Sequence, residues 1–410
     1  MQPLAYLSHL SLTNFRNVVE LELELPPGVV VFFGPNAQGK TTLLEAVYLL
    51  AIARSFRAEN EREVVNFKTL AEGGQALVSG TVERAHDRVT VYIGYQSTPN
   101  LGAANGSDED LSGNSVRKEI RVSRIRRTGA ELVGMVNAVL FTAEDIELVF
   151  GPPSKRRRYL DILISQADSL YIKALQRYQR VVQQRNQLLR MVRDGRAGGD
   201  ELDFWNGELV REGAWITWRR HEAISVLAPL CAEQHQLLTG LDQELDLAYR
   251  PSVPVGVDLP ATEERFREAL AAAQARERAT GATVIGPHRD DFNQLLDQVD
   301  MGTFASRGQA RTLALTLRLA EAGYLARVRQ DAPIVLLDDV LSEMDSSRRQ
   351  RVLEQVCQYQ QTLITTTDLD LVRDFFGPSA VYYQVQGGRV CAVPSGQTNS
   401  AGLGTPGGLG

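Results

Sequence analysis

Five apolar residues, Val29 to Phe33, run straight into Gly34-Pro35-Asn36-Ala37-Gln38-Gly39-Lys40-Thr41-Thr42, and a second apolar stretch begins at Leu43. An unbroken apolar run of this length reads as a strand buried on both faces, the signature of a parallel sheet covered by helices. Two glycines separated by four residues let successive backbone N–H groups turn toward one anion. The helix that follows adds the positive end of its dipole. The pattern Gly-x-x-x-x-Gly-Lys-Thr is met in full, with a strand before it and a helix after it. It predicts that residues 34–42 cradle the phosphates of a nucleotide, with Lys40 reaching the β- and γ-phosphates and the Thr41 hydroxyl ligating Mg²⁺. The fold class is therefore α/β.

About 300 residues downstream, "IVLLDDV" (334–340) repeats the buried-strand pattern and ends on two acids. Asp338 is placed to hold Mg²⁺ and Asp339 to polarise the attacking water. A third element, "ASRGQAR" (305–311), sets Ser306, Gly308 and Gln309 at the start of a helix. Such a turn suits a phosphate too, although a serine there also reads as a plain helix cap. One domain has no use for two phosphate-holding turns per nucleotide. The second turn is expected to serve the nucleotide of another protomer, so that ATP is sandwiched in a homodimer.

The remaining pattern divides the chain. "VELELEL" (19–25) alternates with period two and predicts a half-buried strand. Residues 76–95 and 117–127 read as antiparallel strands, joined by a polar, glycine-containing surface loop through 98–115. From Ser154 the period becomes helical. Tyr171, Leu175, Tyr178, Val182, Leu189 and Val192 form one stripe, interrupted once by Arg185. "RDGRAGGD" (193–200) breaks it, and a second run passes Trp215, Trp218, Ile224 and Leu227. The two runs predict an antiparallel helical hairpin with the tryptophans and tyrosines in its core. Strand character returns at 282–292, a helix follows over 312–328, and another buried strand over 361–367. Residues 1–150 and 282–393 are expected to build one nucleotide-binding domain around a helical insertion, 151–281, with a disordered tail over 394–410.

Composition narrows the functions. The net charge of −6 excludes a molecule that attracts nucleic acid as a whole, so any such contact needs a local patch. Three scattered cysteines give neither a zinc hook nor a disulfide framework. No signal peptide is legible, and the longest apolar stretch, 43–53, is too short to span a bilayer, so a cytoplasmic protein is expected. Two basic segments stand out. "RKEIRVSRIRR" (117–127) carries Arg121, Arg124, Arg126 and Arg127; read as one strand, Arg121 faces opposite to Arg124 and Arg126. "SKRRRY" (154–159) puts Lys155, Arg156, Arg157 and Arg158 at a helix N-terminus, where the dipole disfavours cations. Both are candidates for sequence-independent DNA contact, against the alternative of solvated or internally paired charge.

The phosphate loop, the Ser-x-Gly-Gln turn, the Asp338-Asp339 strand end and the "LSEMD" after it (341–345) resemble, in that order, the ABC-type ATPases and the head domains of the SMC group. "LTNFRN" (12–17) is similar to the opening of SMC heads, where the arginine corresponding to Arg16 lies near the bound phosphates. "RSFR" (54–57), "GPPSKRRRYLD" (151–161) and "GPHRDDF" (286–292) extend the resemblance, over residues 4 to about 390, to the RecF family of bacterial recombination mediators. The resemblance implies an ABC-type head with an added lobe, ATP and Mg²⁺ as ligands, an ATP-dependent homodimer and DNA binding in gap repair, replication restart and SOS induction. It also implies partnership with RecR, alongside RecO, in loading RecA. Asp339 stands where transporter-type ATPases usually carry Glu, and Thr367 where they carry a histidine, so slow hydrolysis is expected. Glu144 or Asp145 takes the place of the usual Q-loop glutamine. A transporter ATPase subunit and a short SMC-like structural protein are the competing readings. The absent histidine and SMC-type start weigh against the first, and the short helical insertion against the second.

Overall fold

A computed structural model describes residues 5–98, 115–329 and 331–393. The expected tail and nearly all of the 98–115 loop lie outside them. The chain opens with β1 (Ala5–Phe15), β2 (Val18–Glu24) and β3 (Gly28–Phe33), and then the phosphate loop and α1 (Lys40–Ile52). After α2 (Phe67–Glu72) come β4 (Gln75–Arg84), β5 (Arg88–Thr98), β6 (Ser115–Val122), β7 (Ile125–Arg127), α3 (Gly129–Leu132) and β8 (Ala138–Thr142). The helical region holds α4 (Glu147–Phe150), α5 (Pro153–Ala167), α6 (Ser169–Arg193), α7 (Leu202–Thr239), β9 (Leu245–Arg250) and α8 (Leu259–Thr280). The chain returns through β10 (Asp291–Leu296), β11 (Val299–Asp300), α9 (Met301–Phe304) and α10 (Arg307–Arg329). It ends with β12 (Ile334–Asp338), α11 (Ser346–Val356), β13 (Gln361–Thr366), α12 (Asp370–Phe376), β14 (Ala380–Gln386) and β15 (Arg389–Val393).

The central sheet has the order β15-β14-β3-β13-β12-β8, parallel throughout except for the β14–β15 hairpin. Strand β8 precedes the insertion and β12 follows it, and they pair from Ala138–Ile334 to Thr142–Asp338. The chain before and after the helical region thus meets in one sheet. Alternate residues of the buried strands go to opposite faces. Val30, Phe32, Leu336 and Leu363 pack with α1 and the antiparallel sheet β2-β1-β4-β5-β6-β7. Val29, Val31, Leu337 and Ile364 join a second core that continues through α10 into α5, α6 and α7.

Three expectations are revised. Residues 117–127 are not one strand: the chain reverses at Ser123 and Arg124, both left-handed (φ 48° and 72°), so Arg121 and Arg126 become cross-strand partners on the same face. Strand structure over 282–292 begins only at Asp291, because left-handed Gly286 (φ 116°) and Pro287 turn the chain through a single 3₁₀ turn first. That strand joins a three-stranded sheet with β9, a strand inside residues 151–281. Tyr171 and Tyr178 are buried in the helical core, whereas Trp215 is half-buried against it and Trp218 lies on its rim against His221.

Candidate functional site

Strand β3 delivers the phosphate loop to one end of the central sheet. Gly34 (φ 150°) and Gly39 (φ 111°) have left-handed backbones. A Cβ at Gly34 would strike the Val385 carbonyl, and one at Gly39 would sit 2.8 Å from Asn17 Nδ2, so both positions demand glycine. Lys40 Nζ donates to the carbonyls of Gly34 (2.7 Å) and Pro35 (2.9 Å), wrapping the loop around its own cation. Burial lowers the Lys40 pKa, and Asp339 and Asp338 oppose that effect. The loop is pinned from outside: Gly387 N donates to Gln38 Oε1 (2.8 Å), and the Thr42 hydroxyl donates to Asn17 Oδ1 (3.0 Å).

Strand β12 brings the acids to the same place. Thr41 Oγ1 donates to Asp338 Oδ1 at 2.8 Å, and so does Thr365 Oγ1 from β13 at 2.8 Å. Burial raises the Asp338 pKa, and these two hydroxyls partly offset it. Thr41 and Asp338 present hard oxygens 2.8 Å apart, close to the ~3 Å edge of an octahedron with ~2.1 Å metal–oxygen bonds, so the pair suits Mg²⁺. Asp339 is left-handed (φ 53°), held by a hydrogen bond from its N–H to Thr365 Oγ1 (3.0 Å), and its Oδ1 is buried without a hydrogen-bond partner among the described residues. Asp339 also lines the cleft, where a carboxylate is suited to accept a proton from a bound water.

These residues open onto a cleft of about 850 Å³ that Arg16, Asn36, Ala37, Lys40, Thr41 and Asp339 help to line. Arg16 is there as expected, but its guanidinium is engaged by Glu45 of α1 (Nη2–Oε1 2.7 Å), and the Ser55 hydroxyl also donates to Glu45 (2.5 Å). Two exposed apolar side chains, Val19 and Phe67, also line the cleft, and an exposed aromatic ring such as that of Phe67 suits stacking against a nucleobase. Sequence reasoning missed both, together with Thr365 and Glu45.

Other expected site residues lie elsewhere. Ser306, Gly308 and Gln309 are exposed at the N-terminus of α10 and do not line the cleft. Ser306 N donates to Gln309 Oε1 (2.9 Å) and Gln309 N donates to Ser306 Oγ (3.3 Å), a reciprocal cap. Asp145 is buried in an ion pair with Arg318 (2.6 Å), while Glu144 is exposed, and neither lines the cleft. Thr367 is exposed just beyond β13.

The basic segments also part company. Arg121, Arg124 and Arg126 are exposed on one hairpin, with Arg121 over the Tyr92 ring (5.7 Å) and beside Glu119 (3.0 Å). Arg127 is turned to Glu131 (3.5 Å). On α5, Lys155 pairs with Glu147 (2.5 Å) and Arg156 makes a fork with Asp291 (2.7 and 2.8 Å). Arg157 donates to the Asp290 carbonyl (2.9 Å), and Arg158 is exposed.

Phosphate loop, the paired acids at the end of β12, capped Ser-x-Gly-Gln helix and antiparallel subdomain together define an ABC-type ATPase head of the SMC kind. A solved SMC head from Pyrococcus furiosus, 13% identical with a TM-score of 0.51 over 95% of this chain and 97% of its own, shares that fold. The family model for the RecF/RecN/SMC N-terminal domain matches residues 6–388, and the chain belongs to that family, on its RecF branch. It is 41% identical to the DNA replication and repair protein RecF of Herpetosiphon aurantiacus, covering 89% of this chain and 94% of the relative. It is 38% identical to that of Chloroflexus aurantiacus, covering 94% and 100%. A solved RecF–ATP structure, described as a recombination mediator of the RecFOR pathway, superposes with a TM-score of 0.83 at 30% identity, over 95% of this chain and 98% of its own. Among the described residues, no helix is long and apolar enough to cross a membrane.

Proposed function

We propose that this protein is an ATP-dependent DNA-binding switch that acts as a recombination mediator in DNA gap repair, replication restart and SOS induction. One observation carries the reading. The phosphate-loop cleft and the Ser306 turn are each fully formed, yet the turn stands apart from the cleft within a single chain. A homodimer that sets the turn of one protomer against the γ-phosphate held by the other gives both a use. Lys40 neutralises the β- and γ-phosphates, Thr41 and Asp338 hold Mg²⁺, and Asp339 receives the proton of the attacking water. The short Asp339 side chain, with exposed Thr367 in place of an imidazole, suits slow hydrolysis that times release.

DNA contact is assigned to the hairpin cations Arg121, Arg124 and Arg126, which reach phosphates without reading sequence. The partner in loading RecA is RecR, alongside RecO, in a cytoplasmic setting. The test is sedimentation of the protein alone, with ATP, and with ATP and DNA. The expected outcome is a monomer that becomes a dimer with ATP and binds DNA in that state. A protein that stays monomeric with ATP and DNA together overturns the proposal.

A further inference from the structure

Three sequence segments that the nucleotide site leaves unused converge on one cavity of about 530 Å³: Arg54 after α1, Arg157 and Arg158 on α5, and Pro287 with His288 before β10. None of these three arginines takes part in a salt bridge among the described residues, although the chain carries more acids than bases and neighbouring Arg156 is fully paired. Beneath them lies a stripe of half-buried aliphatics on α6: Ile172, Leu175 and Val182. Ten residues of helix measure about 15 Å, the length of four or five residues of extended peptide. Tyr48 faces the cavity from α1. Its side chain is 7% exposed and its hydroxyl makes no hydrogen bond among the described residues. Burial pushes its pKa up to about 12, so the hydroxyl keeps its proton and can donate. The Asp161 carboxylate is the cavity's acid, but Arg220 Nη2 (2.8 Å) and the Tyr171 hydroxyl (2.6 Å) already satisfy it.

We propose that this groove between α5, α6 and the C-terminal end of α1 docks an acidic segment of a partner protein, its carboxylates on Arg54, Arg157 and Arg158 and its apolar side chains on the α6 stripe. Charge complementarity selects an anion, and the aliphatic floor selects a peptide over a nucleic acid. A base buried on Ile172, Leu175 and Val182 would leave its polar edge unpaired, whereas a leucine side chain would not. A second copy of this chain is the weaker fit. The ATP sandwich uses the N-terminal ends of α1 and α10, while the groove lies at the far end of the 13-residue α1, about 20 Å away.

The experiment measures fluorescence anisotropy of a labelled Glu-Asp-Glu-Leu-Leu peptide with the full chain in about 0.15 M salt. Gln-Asn-Gln-Leu-Leu, Glu-Asp-Glu-Gly-Gly and a labelled oligothymidine run in parallel. The expected result is saturable binding of the first peptide, lost by at least about tenfold in the Arg54→Glu/Arg158→Glu variant and by about threefold or more in Leu175→Gln. Both control peptides bind weakly, and oligothymidine does not displace the probe. A fluorescent ATP analogue binds both variants as it binds the unmodified protein, which shows that they are folded and keeps the outcome independent of the ATP-switch reading. No binding of the acidic peptide, equal binding by the charge-reversed variant, or displacement by oligothymidine overturns the proposal.

Discussion

Asp339 sits in a left-handed conformation that an aspartate adopts at some cost, and its Oδ1 is buried without a partner among the described residues. The residue nevertheless lines the cleft, where its carboxylate can act on a bound water. Asp339→Asn keeps the shape and removes the base. Turnover is expected to fall at least about tenfold in a steady-state phosphate-release assay while ATP still binds. Unchanged turnover would move the role to another acid; Glu343, tied to Arg311 at 3.0 Å, is the nearest alternative in sequence. Lys40→Ala removes the cation that the loop folds around, and ATP affinity is expected to fall by more than about tenfold in a fluorescent-nucleotide titration. The loop and Asp338 were legible because their chemistry demands fixed residue types at fixed spacing. Thr365 was not. It reaches Asp338 only because β13 pairs with β12 in register, Thr365 opposite Asp338, and no local pattern encodes a cross-strand neighbour. Glu45 was hidden in the same way. It sits fully buried in an apolar helix, and its partners Arg16, Ser55 and Arg57, all outside that helix, explain it.

Elements show where sequence pattern stops short. The β6–β7 reversal uses Ser123 and Arg124 in left-handed conformations that hairpin turns normally give to Asn or Gly, so no turn signal marked it. The consequence is functional, since the reversal gathers cations that a single strand would separate. Arg121→Glu/Arg126→Glu is expected to weaken duplex binding by at least about tenfold and to flatten its dependence on salt, measured by anisotropy across a salt series. Unaltered salt dependence would place DNA on another surface. The α10 cap carries a different prediction. Ser306→Arg leaves the phosphate loop untouched, so nucleotide binding by the single chain persists. A bulky cation where the partner's γ-phosphate docks blocks the dimer, and sedimentation with ATP should show a monomer. A dimer as stable as the unmodified protein's would reduce the turn to the helix cap that the isolated chain displays.

At the scale of the whole molecule, the helical region is packed into the ATPase head rather than hung from it. One continuous core runs from Val29 and Val139 of the central sheet through α10 to Tyr171, Leu227 and Phe266. The periodicity of α6 announced a helix with an apolar stripe, but Arg185 in that stripe read as an interruption. The structure makes it a buried cation bonded to Glu277, Thr283 and Asn206, joining α6, α8 and the returning chain. Arg220 plays the same part at the head-side end. It is 2% exposed and donates from α7 to the Tyr171 hydroxyl (2.9 Å), to Asp161 (2.8 Å) and to the Pro287 carbonyl (2.6 Å), with Asp290 at 3.5 Å. Removing it takes the cationic partner from Asp161 and Asp290, which keep only neutral donors such as the Tyr171 and Tyr249 hydroxyls. Arg220→Ala is therefore expected to cost ~3–5 kcal/mol, a fall in Tm of roughly 3–6 °C for a chain of this size. The shape of the transition matters more than its midpoint. If the shared core makes head and helical region one cooperative unit, far-ultraviolet circular dichroism and ATP-analogue release should shift together on heating, although Arg220 lies outside the nucleotide cleft. Loss of helical signal at the lower temperature with ATP release unmoved would show two units that unfold separately. The continuous core would then be a contact surface between them.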